Sequence, residues 1–71
     1  MQINGTIKFI DLEGGFYGIE GDDGTNYRPK KELPGGYQKD GLRITANVSM
    51  VPGFSIFMWG RDVRVHDIAR I

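Results

Sequence analysis

Residues 5–20 read GTIKFIDLEGGFYGIE, a strand, a glycine turn and a second strand. Apolar side chains stand at Ile3, Ile7 and Phe9, and the apolar parity then switches to Ile10 and Leu12. Side chains alternate faces along a strand, so such a switch calls for an extra residue or a sharp coil at that point. A strand bent in this way can pair along both of its edges, which a small closed barrel requires. The first strand is therefore expected from about Gln2 to Leu12, with Glu13-Gly14-Gly15 as the hairpin turn.

Downstream, Phe16 to Glu20 forms the second strand, with Phe16 and Gly18 on one face and Tyr17 and Ile19 on the other. A glycine inside a strand marks a bend or the close approach of another group. Gly21-Asp22-Asp23-Gly24 is a second hairpin turn, and Thr25 to Arg28, centred on Tyr27, is a short third strand. In residues 29–40, PKKELPGGYQKD, the prolines and paired glycines forbid a long helix. At most one helical turn fits, around Lys30 to Leu33, with Leu33 and Tyr37 as anchors on the core.

Leu42, Ile44, Ala46, Val48 and Met50 alternate with polar residues, a half-buried strand at period two. After the Val51-Pro52-Gly53 turn, Phe54, Ile56 and Met58 are expected inward, and Ser55, Phe57 and Trp59 outward. Gly60 breaks the run, and Arg61-Asp62 reads as a bulge or turn. Val63, Val65, Ile68 and Ile71 then suggest a last strand, with a parity change near His66-Asp67. The expected barrel filling is Ile7, Phe9, Ile44, Val48, Ile56 and Met58.

The 71 residues allow one domain, 1–71, which buries only about 60 % of its unfolded surface. Eleven glycines, about twice the usual ~7 %, fall between apolar runs and act as turn punctuation. There is no cysteine, so disulfides and thiolate metal sites are excluded. Nine Lys and Arg cancel nine Asp and Glu, which argues against a polyanion-binding surface. No signal-type leader and no run near ~18 apolar residues is present, so a soluble cytoplasmic protein, or a domain of something larger, is expected.

No segment shows 3.6-residue periodicity. The pattern predicts an all-β, OB-like Greek-key barrel of five or six antiparallel strands, with the linker helix absent or vestigial; an SH3-like barrel is the alternative. Gly5-Thr6-Ile7-Lys8-Phe9 followed by Gly15-Phe16-Tyr17-Gly18-Ile19 superficially resembles the opening of a cold-shock domain, whose aromatics stack on bases. The second motif departs from that family: Tyr17 and Gly18 are transposed, no basic residue precedes Phe16, and Asn26-Tyr27-Arg28-Pro29 replaces a Val-Phe-Val-His run. More of the chain, at Asp11 to Ile19, Leu33-Pro34, Asp40 to Arg43 and Met58-Trp59-Gly60, resembles short prokaryotic OB-fold domains without settled function. That resemblance implies an OB barrel and no catalytic residues.

The residue inventory argues against an enzyme. His66 is the only histidine, and no nucleophile elbow surrounds Ser49 or Ser55. Asp22 and Asp23 sit where Asx-type turn bonding explains them. Gly14, Gly15 and Gly18 precede no helix N-terminus, so they form no phosphate loop. No metal or cofactor is expected. The suggestive group is aromatic and basic: Tyr17, Tyr27, Arg28, Arg43, Phe57, Trp59 and Arg61 form the candidate ligand surface. Exposed, it would suit a protein partner, self-association or an unknown small ligand, and single-stranded nucleic acid is the alternative. In the contrary packing, Trp59 and Phe16 close the barrel ends and tyrosine hydroxyls cap the turns.

Overall fold

The computed structural model describes residues 1–53 and 59–71. Five strands, β1 (Gln2–Ile10), β2 (Phe16–Gly21), β3 (Asn26–Pro29), β4 (Arg43–Met50) and β5 (Arg61–Arg70), close a barrel in the order β1-β2-β3-β5-β4. This is the OB-like, all-β barrel expected, with one correction. The strands are not all antiparallel, because β3 and β5 run parallel from Tyr27↔Arg61 to Pro29↔Val63. Two segments so distant in sequence cannot form a hairpin, and their relative direction follows from how the chain between them crosses the barrel end. Arg61 and Asp62, expected as a bulge or turn, belong to β5.

β1 closes the barrel by pairing on both edges. Its first half meets β4, from Gln2↔Asn47 to Thr6↔Arg43, and its second half meets β2, from Gly5↔Gly21 to Ile10↔Phe16. The two ladders overlap at Gly5 and Thr6. A Cβ at Gly5 would stand 2.6 Å from the Glu20 carbonyl oxygen, so only glycine lets the strands cross this tightly. The register runs unshifted to Ile10, so the apolar parity switch after Phe9 is not a bulge. β1 ends at Ile10 rather than Leu12.

The core consists of Ile3, Ile7, Ile19, Tyr27, Leu33, Ile44, Ala46, Val48 and Val63. Each full-sized aliphatic side chain there contributes about 1.5–3 kcal/mol of burial. Phe9, expected inside, is 48 % exposed, because β1 has run past the barrel mouth by that residue. Its ring packs on Gly15 and edge-on against Tyr17 instead. Met50 is likewise exposed at the far end of β4. The expected inward residues Phe54, Ile56 and Met58 lie outside the described residues.

The β3–β4 connection holds a single 3-10 turn at Gly35–Tyr37, slightly later than expected. Leu33 is buried, and the Tyr37 hydroxyl donates to the Ile68 carbonyl at 3.2 Å. The parity change expected near His66-Asp67 is present as a register shift. Asn47 pairs with Asp67 and Val48 with Val65, which leaves His66 as the extra residue of a β-bulge.

Candidate functional site

On β2, Tyr17 and Ile19 share the inner parity, while Phe16 and Gly18 face out. The register sets Ile10 beside Phe16 and Lys8 beside Gly18 on the neighbouring strand. Trp59 lies over Gly18, with its six-membered ring in the space a side chain would fill. Its ring meets Phe16 edge-to-face, with centroids 5.5 Å apart and planes at 69°, a favourable quadrupolar arrangement. From β3, the Arg28 guanidinium carbon stands 4.3 Å from the centroid of Phe16, within cation–π range. Glu13, in the β1–β2 turn, lies 3.6 Å from the same guanidinium. Phe16, Trp59 and Arg28 are each half-buried, so the cluster is assembled without being sealed.

The proposed ligand surface is only partly one surface. Trp59 and Arg28 come together on the outer face of β2 and β3. Tyr17 takes the opposite parity, packs against the core and pairs with Phe9 at 5.3 Å between centroids. Tyr27 is 3 % exposed, and this corrects its assignment to the surface. Its ring fills the core, and its hydroxyl donates to Asp23 Oδ2 at 2.7 Å. A tyrosine capping a turn was the contrary packing considered above, and Asp23 completes it by accepting the Thr25 N–H at 2.9 Å.

Arg43, at the start of β4, grips Asp22 with both guanidinium nitrogens at 2.6 and 2.7 Å and donates to the Thr6 hydroxyl at 3.0 Å. The hydrogen bond from Arg43, more than its charge, holds the Asp22 carboxyl below the usual carboxylate range. Arg61 is exposed beside the backbone of Tyr27. Phe57 lies outside the described residues.

Phe16 and Glu13 were absent from the sequence-derived site, although Phe16 shares its face with Gly18, the in-strand glycine that marks a close approach of another group. Elsewhere, Ser49 Oγ and His66 Nε2 are 2.8 Å apart on the exposed face of β4 and β5, with no carboxylate bonded to the imidazole among the described residues. No group of three His, Asp or Glu gathers as metal ligands among the described residues. No family model, curated protein or solved structure matches the chain.

Proposed function

We propose that this chain is a small, non-enzymatic, cytoplasmic OB-fold module that binds or adapts a protein segment without a cofactor, using the outer face around Trp59. The half-buried Phe16–Trp59 pair with Arg28 against Phe16 is the observation that carries this reading. Interfaces concentrate their energy in such aromatic and arginine groups. OB barrels bind oligonucleotides and oligosaccharides on this part of the fold, the face of strands two and three beside the loops after strands one and four, so the position marks a binding face without choosing the ligand.

The same aromatics would suit stacked bases, but the charge around them favours protein. Of the four cations that could follow a phosphate backbone here, Arg28 faces Glu13 and Arg43 is gripped by Asp22, which leaves only Lys8 and Arg61 without an ion pair among the described residues. A nucleic-acid groove gains affinity by releasing counterions from phosphates, which cations already neutralised by carboxylates do poorly. The test uses Trp59 as the reporter. Peptides enriched from a random display library should shift its emission on binding, while single-stranded DNA and RNA should leave it flat at about 50 and 200 mM salt. Quenching by oligonucleotide that weakens with salt, with no peptide response, overturns this reading in favour of nucleic acid.

A further inference from the structure

Away from the Trp59 face, β3 leaves β5 early. The last rung between them is the Lys30 N–H donating to the Val63 carbonyl at 2.8 Å, whereas β5 continues to Arg70. Residues 30–34 then swing out, and a groove of about 820 Å³ opens between them and residues 64–68 of β5. Leu33, Pro34, Val65 and Ile68 supply its apolar lining.

The backbone of Val65 is the decisive element. Val48 exchanges both of its backbone hydrogen bonds with Met1, on the β1 side of β4. The Val48↔Val65 pair is therefore a non-hydrogen-bonded one, and the N–H and C=O of Val65 point away from β4, into the groove. Neither group meets a backbone partner among the described residues. A donor and an acceptor on one side of one residue, at the end of an interrupted ladder, make an open rung for an added strand. The Tyr37 hydroxyl covers the next such carbonyl, at Ile68, so the opening is short.

Charge indicates the occupant. Lys30, Lys31 and Arg64 line the groove, and none of them is ion-paired among the described residues, unlike Arg28 and Arg43. Glu32 and Asp67 share the rim, leaving one net positive charge with His66 neutral. We propose that an extended peptide carrying acidic side chains adds to β5 at Val65, taking over the line that β3 abandons at Lys30, with its carboxylates against Lys31 and Arg64. This site is separate from the Trp59 face and does not depend on the function proposed there.

The experiment is an amide-resolved NMR titration of the full chain with a short blocked peptide alternating valine and glutamate, and with its lysine counterpart. The glutamate peptide should move the Val65 amide and slow its hydrogen exchange, and the lysine peptide should not. Lys31→Glu with Arg64→Glu, two substitutions at exposed positions, should weaken the glutamate peptide by about tenfold while leaving the rest of the spectrum unchanged. Three results would overturn the proposal. One is a Val65 amide that stays still, and another is shifts centred on Phe16 and Trp59 that ignore the charge reversals. The third is Val65 shifts that follow the chain's own concentration without peptide, which would assign the groove to a second copy.

Discussion

Trp59 occupies the space over Gly18 that any larger residue would need for its side chain. The contact joins the segment before β5 to the outer face of β2, and glycine is the residue that lets an indole lie this close to a strand. Gly18→Ala should push the ring out and cost about 1–3 kcal/mol, the usual range for inserting a methyl into a filled space. Trp59 emission should shift to the red, and the denaturation midpoint should fall. An unchanged emission maximum would mean that the indole does not rest on Gly18 in solution.

Tyr27 places a polar hydroxyl at the edge of the core, where it donates to Asp23. Tyr27→Phe keeps the ring and deletes the donor, and should cost about 1 kcal/mol. That hydrogen bond, with burial, raises the tyrosine above its ordinary value. Its contribution is thus complete below about pH 10 and is lost as pH climbs through the raised folded value. Alkaline unfolding of the parent and of Tyr27→Phe should therefore converge. A gap between them that persists at the highest pH would remove the hydrogen bond as the cause.

Much of the barrel was legible because one residue type at period two leaves little choice. Ile44, Ala46 and Val48 are buried as their alternation requires. Gly18 was readable as a place of close approach, though not as the seat of Trp59. Phe9 was misread because periodicity reports parity, not where a strand leaves the barrel. Tyr27 was misread because composition cannot tell a stacking tyrosine from a core tyrosine. The local signal was Asp23, four residues earlier, whose carboxylate receives the hydroxyl. The parallel β3–β5 pairing had no local signal, since it depends on the closure of the whole barrel.

Asp22 and Arg43 tie the β2–β3 turn to the start of β4. Because the Arg43 hydrogen bond lowers the carboxyl, the pair's contribution is present above the ordinary value of about 3.9 and is lost as pH falls through the lower folded value. Arg43→Gln should return the Asp22 titration, followed by NMR, towards the ordinary value. Added salt should move the parent the same way, because the pair is exposed and screened. An Asp22 titration that is the same with and without Arg43 would show that the two side chains do not meet in solution.

Gly5 tests barrel closure itself, because β1 shares its two ladders at this residue. An added Cβ would face the Glu20 carbonyl oxygen at 2.6 Å and Ile19 Cγ2 at 2.9 Å. A backbone oxygen held in a ladder cannot swing aside as a flexible side chain can, so relief requires β1 and β2 to separate. Gly5→Ala should cost about 3 kcal/mol or more, at the upper end for overpacking. That is a large part of the roughly 4–10 kcal/mol typical of a chain this size. Gly35→Ala is the control, since nothing lies within 4 Å of a Cβ there, and its denaturation midpoint should stay within about 0.5 kcal/mol of the parent. Equal midpoints for the two variants would mean that β1 does not pair with both neighbours at Gly5, and the barrel would then be open along that seam.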